Sequence, residues 1–113
     1  MGHNQPILSM TVEQLYQRMN NNDTFFLLDV RESHEVAICQ LPNSKHIPMN
    51  LIPTYIDTIP DGIDIIVYCH HGIRSLAVAT YLQHAGFCSK QLFNLEGGID
   101  KWAKIIDKSL SRY

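Results

Sequence analysis

Short apolar runs alternating with stretches of helical periodicity constrain this chain more than any other feature of its sequence. Phe25-Phe26-Leu27-Leu28-Asp29-Val30 stays apolar up to Asp29, Ile63 to Tyr68 is a second apolar run, and Leu92-Phe93-Asn94-Leu95 is a third. Strands of this kind are buried on both faces, as in parallel sheets covered by helices. The intervening stretches repeat at helical spacing. Val12, Leu15, Tyr16 and Met19 follow a capping box formed by Thr11 and Gln14. Val78, Tyr81, Leu82 and Ala85 lead to Gly86, placed as a helix-ending glycine, and Ile99, Trp102, Ala103 and Ile106 form a last amphipathic stripe. A short helix is expected over about Ser33 to Ile38, a short strand at Ile47, and weak helicity from Met49 to Ile59. The expected class is therefore α/β, with a central, mostly parallel β-sheet flanked by helices on both faces. Ligands of such sheets sit at the carboxyl ends of the strands.

The 113 residues make one domain, 1–113, since domains commonly run to ~100–150 residues. A net charge of -2 and thinly spread Lys and Arg exclude an electrostatic case for nucleic acid. No apolar stretch approaches the ~18 residues of a membrane span. The start, Met1-Gly2-His3-Asn4-Gln5-Pro6, lacks the basic and apolar segments of a signal peptide, so a cytoplasmic location is expected. Cys39, Cys69 and Cys88 are odd in number and widely spaced, which fits free thiols in a reducing compartment. The six histidines, His3 among them, show no ligand spacing and no Cys-x-x-Cys pair exists, so neither a metal nor a cofactor is expected.

The chemistry is concentrated in Cys69-His70-His71-Gly72-Ile73-Arg74-Ser75. A buried strand delivers Cys69 to a short loop and a helix opens directly after it. The free N–H groups and dipole at a helix N-terminus favour an anion, here a thiolate or a bound oxyanion. Gly72 admits positive φ, which curls the loop so that its N–H groups face the sulfur. Arg74 supplies a fixed cation, and helix N-termini with neighbouring cations depress thiol pKa values. A lone cysteine at a strand end is ordinarily a small buried hydrophobe. The Gly and Arg at these spacings, between a strand and a helix, favour a nucleophile instead.

These residues resemble the rhodanese family over nearly the whole chain. Cys69-His70-His71-Gly72-Ile73-Arg74 matches its Cys-x-x-Gly-x-Arg signature, and Asp29-Val30-Arg31-Glu32 its Asp-Val-Arg-Glu stretch. His46-Ile47-Pro48 is similar to its Asn-Ile-Pro segment, and Gly97-Gly98 with Trp102 to its Gly-Gly-x-x-x-Trp end. The ending from Trp102 to Tyr113 is also similar to rhodanese domains fused behind adenylyltransferases. Cys39, Gln40 and Asn43 depart from the family's Gly, His and Gly, so an altered loop is expected there.

The resemblance implies sulfur transfer by double displacement. Cys69 would take sulfane sulfur from thiosulfate or a similar donor and hold it as a persulfide. Cyanide, a thiol or a protein sulfur acceptor would then remove it. Cys69 and Arg74 would be catalytic, while His70, His71, Gly72, Ile73 and Ser75 would bind substrate through the loop. Ser75 is also expected to cap the following helix, and Asp29 with Arg31 to be structural. Related phosphatases and arsenate reductases on this fold are the alternative chemistry. The phosphatases hold five residues between Cys and Arg where this chain has four, His70 to Ile73. A non-catalytic sulfur-carrier or binding module is the other alternative. Cys39 and Cys88 read as packed or surface thiols, and Tyr113 either packs back on the body or stays mobile.

Overall fold

The computed structural model describes residues 5–113; His3, and with it most of the stretch read for a signal peptide, lies outside them. The strands are β1 (Leu8–Met10), β2 (Phe25–Asp29), β3 (Lys45–His46), β4 (Asp64–Tyr68) and β5 (Leu92–Leu95). The α-helices are α1 (Val12–Asn20), α2 (Ser33–Val36), α3 (Ile52–Tyr55), α4 (Ile73–His84) and α5 (Gly98–Ile105). All five strands form one parallel sheet in the order β1-β5-β4-β2-β3.

The alternation of side chains across β4 shows why its run had to be apolar on both sides. Ile65, Val67 and Cys69 enter one core with Val78, Ala79 and Leu82 of α4 and Ile52 of α3. Ile66 and Tyr68 enter the other, with Val12 and Leu15 of α1 and Ile99 and Trp102 of α5. The helices thus cover both faces as expected. The capping box is formed: the Gln14 N–H donates to Thr11 Oγ1 at 3.1 Å, and the Thr11 N–H to Gln14 Oε1 at 2.9 Å.

Local detail departs from expectation in one place and adds to it in two others. The short strand after α2 holds Lys45 and His46 rather than Ile47, whose N–H still donates to the Asp29 carbonyl at 2.9 Å. The segment from Met49 to Thr58 is helical in three short pieces, 3-10 turns flanking α3. The edge strand β1 was not anticipated: three residues, two of them exposed, are too short to show a period. Asn43, where the family has Gly, takes φ +59, a left-handed conformation that Asn tolerates better than other side chains.

Beneath the carboxyl ends of β2 and β4, Asp29 and Arg31 are both fully buried. Arg31 donates through Nε and one terminal nitrogen to the two Asp29 oxygens at 3.0 and 2.7 Å. The Tyr68 hydroxyl also donates to Asp29, at 2.8 Å. Arg31 further bonds the Cys39 and Glu35 carbonyls, so its charge is compensated and its hydrogens are partnered. The pair is a structural pin under the site.

Candidate active site

Cys69 lies one residue beyond β4, buried, with its sulfur facing the start of α4. The Gly72 N–H points at Sγ from 3.2 Å and the Ser75 N–H from 3.4 Å. Gly72 is the N-cap of α4 with φ +106, a conformation costly for any residue with a Cβ. Its turn is what folds the loop back over the sulfur. The N-terminus of α5 closes the loop from the other side: the Ile99 and Asp100 N–H groups donate to the carbonyls of Cys69 and His70 at 3.0 and 3.1 Å.

Burial acts on the Cys69 thiol first, pushing its pKa up. Donors around the sulfur, the N–H groups of Ser75, Gly72 and His71 among them, outweigh it and hold the thiol below its ordinary value. Ser75 does not cap α4, contrary to expectation. Its fully buried hydroxyl lies 3.3 Å from Cys69 Sγ and donates to Asn94 Oδ1 at 2.5 Å. Gly72, already at the cap position, leaves no role there for Ser75.

Arg74 is held by a residue the sequence reading did not single out. Its terminal nitrogens donate to Glu35 Oε2 at 2.7 Å and Oε1 at 2.9 Å. The same carboxylate accepts from the Glu32 N–H and from the Tyr113 hydroxyl, each at 2.9 Å. Arg74 foremost, aided by those donors against burial, lowers the Glu35 pKa to about 2. The cation expected to be free for an oxyanion is thus already paired, although its charge still acts on Cys69. Tyr113, left open between packing and mobility, packs onto the site. Its ring stacks on His70 at 3.9 Å and its hydroxyl accepts from Arg31 at 3.0 Å.

His70 is sandwiched between Tyr113 and His71, the latter at 3.8 Å, and its Nε2 is buried without a hydrogen-bond partner among the described residues. Burial, then the His71 charge, lowers its pKa. His71 is exposed, 3.7 Å from Asp100. The fold thereby groups His70, His71 and Asp100 with possible ligand atoms within 4.8 Å, a juxtaposition sequence spacing did not reveal. Asp100 already pairs with Arg112 at 3.0 Å and Lys104 at 3.4 Å, cations that oppose a metal ion there. Ile73 opens α4 and is 81% exposed. Of the other thiols, Cys39 is buried and Cys88 exposed, as expected.

Glu35 and Asn94 are site neighbours the sequence reading did not point to, and Tyr113 is one whose place it left open. Only Asn94 carried a sequence signal: a polar residue inside an apolar strand must find a partner.

A strand-end cysteine under a glycine-started helix, beside a buried Asp–Arg pin on a parallel sheet, agrees with the family comparison. A model of the rhodanese-like domain matches residues 11–105. The chain belongs to the rhodanese-like family. A sulfurtransferase of Allochromatium vinosum is 36% identical over 92 residues, spanning 81% of this chain and 84% of that protein. A putative sulfurtransferase of Bacillus subtilis is 32% identical over 96 residues, 85% of this chain and 90% of the relative. A rhodanese-like domain protein from Staphylococcus aureus has the same fold, with a TM-score of 0.80 at 29% identity over 95% of this chain and 99% of that one. These relatives support a sulfurtransferase kind of activity for this rhodanese-like chain. No described helix is long and apolar enough to cross a membrane.

Proposed function

We propose that this single rhodanese-like domain transfers sulfane sulfur through a persulfide on Cys69. The observation that carries the reading is the cradle: two backbone N–H groups converge on a buried sulfur at the N-terminus of a twelve-residue helix. That arrangement stabilises negative charge on sulfur and excludes water from it.

In the loading step the Cys69 thiolate attacks the outer sulfur of a donor such as thiosulfate. The donor's S–S bond breaks, sulfite leaves with the electron pair, and Cys69–S–S⁻ remains. In the unloading step an acceptor nucleophile, cyanide or a thiol, attacks the outer sulfur and the Cys69 thiolate leaves. The loop N–H groups hold the anion in both steps, and no redox cofactor or metal enters the balance. Arg74 contributes its charge while Glu35 fixes its position. A small donor and a thiol, including a thiol on an acceptor protein, are the partners this chemistry fits.

The test is intact mass after incubation of the reduced protein with thiosulfate, alongside Cys69→Ser. The expected result is a gain of one sulfur that cyanide removes and that the variant never shows. No gain from thiosulfate, mercaptopyruvate or a persulfide donor would overturn the reading and direct attention to phosphate esters.

A further inference from the structure

Asn94, at the carboxyl end of β5, touches the site through two hydrogen bonds whose directions are both determined. Its Nδ2 donates to the Gly72 carbonyl at 3.0 Å. A carbonyl oxygen only accepts, so the amide cannot be turned around, and the atom facing Ser75 is Oδ1. Oδ1 likewise only accepts, so the 2.5 Å bond between Ser75 Oγ and Asn94 Oδ1 contains the one hydrogen of the Ser75 hydroxyl. Ser75 Oγ therefore has no hydrogen left for Cys69. The 3.3 Å contact between Sγ and Oγ is satisfied by the thiol's own S–H donating to Oγ.

We propose that Asn94 is a positioning residue that draws the Ser75 hydroxyl hydrogen away from Cys69, so that forming the thiolate requires that hydroxyl to turn. When the Cys69 proton departs to solvent, Sγ and Oγ face each other with lone pairs only. The contact becomes attractive again if Ser75 rotates its hydrogen onto Sγ, and Asn94 Oδ1 then loses its donor. The sulfur-loaded state carries its charge on the outer sulfur, so it makes no such demand and Ser75 stays with Asn94. Asn94 thus disfavours the bare thiolate relative to both the thiol and the persulfide. Its meaning for sulfur transfer rests on the function proposed above.

Other titratable groups stand around the loop. Arg74 stands at the start of α4, with Glu35 of α2 behind it. His70 and His71 lie on the loop, Asp100 on α5, and Tyr113 on the tail. Asp29, Arg31 and Tyr68 lie on the sheet side. None of these bonds Asn94 or the Ser75 side chain through any contact described above. They remain in every variant below and drop out of the comparison.

The test is the pH midpoint of Cys69 alkylation by iodoacetamide, read on the Cys69 peptide by mass spectrometry so that Cys39 and Cys88 do not contribute. Asn94→Ala frees the Ser75 hydroxyl for the thiolate, and the midpoint should fall by about one pKa unit, roughly tenfold faster alkylation below it. In the Ser75→Ala background there is no hydroxyl to free, so Asn94→Ala should then change nothing. Should Asn94→Ala loosen the loop, Asn94→Leu, close in size and without hydrogen-bonding groups, gives the same comparison. A midpoint unchanged or raised by the Asn94 variants, or a fall that persists without the Ser75 hydroxyl, would overturn the inference. Alkylation needs no sulfur donor. A midpoint shift without persulfide formation would leave this inference standing and overturn the sulfurtransferase reading alone.

Discussion

Glu35 and Arg74 meet through two parallel hydrogen bonds, 2.7 and 2.9 Å long, across the mouth of the cysteine loop. Bidentate pairs of this kind fix geometry as well as charge. Glu35 reaches Arg74 from α2 and is itself held by Tyr113 and the Glu32 N–H.

That pair makes acid sensitivity testable. The Glu35 pKa lies at about 2, below its ordinary 4.5. A depressed carboxylate adds stability that is complete above the unfolded value and is lost as pH falls through the folded one. Its contribution, on the order of 3 kcal/mol, should therefore disappear between about pH 4.5 and about pH 2. Glu35→Gln should be less stable near neutrality, and its stability should fall less steeply in that window. Urea unfolding at about pH 6 and about pH 3 checks both.

Tyr113→Phe keeps the stack on His70 and removes the hydroxyl that joins Arg31 to Glu35. One Arg31 hydrogen loses its partner, and a cost of about 1–2 kcal/mol in denaturant unfolding is expected. Tyr113→Ala removes the stack as well and should cost more.

Asp29→Asn leaves the fully buried Arg31 guanidinium without its counter-charge. Removing one partner of a buried ion pair typically costs about 3–5 kcal/mol. Urea unfolding should show a loss of this size, well beyond that of Tyr113→Phe.

Gly98→Ala should damage the site more than Gly97→Ala. A Cβ on Gly98, at φ +61, would lie 2.6 Å from the Cys69 carbonyl oxygen and collide with that of His70, both backbone atoms of the sulfur loop. A Cβ on Gly97 would lie 2.6 Å from Lys101 Cβ and Cδ; Cδ can swing aside and Cβ must shift with α5, but neither atom belongs to the sulfur loop. Both pay the left-handed backbone strain of about 1–2 kcal/mol. Gly98→Ala should add about 1–3 kcal/mol of overpacking and lose sulfur loading by intact mass, while Gly97→Ala should still load.

The sequence by itself determined the parallel sheet, its helical covers, the capping box at Thr11 and the sulfur-facing loop from Cys69 to Ser75. Each depends on residues close together in the chain: a period of two or 3.6, a cap three residues away, or an N–H three residues past a sulfur. Only the tertiary structure decided what the loop's side chains bond to. Ser75 could not be told from a helix cap until β5 set Asn94 beside it. Arg74 read as a free cation until α2 brought Glu35 to it, and Tyr113 acquired its place only when the tail crossed His70. The edge strand β1 likewise exists because β5 offers it an open side. The physical reason is common to all four. Partners far apart in the chain are chosen by strand order and register, and a side chain's own neighbours in sequence carry no record of that choice.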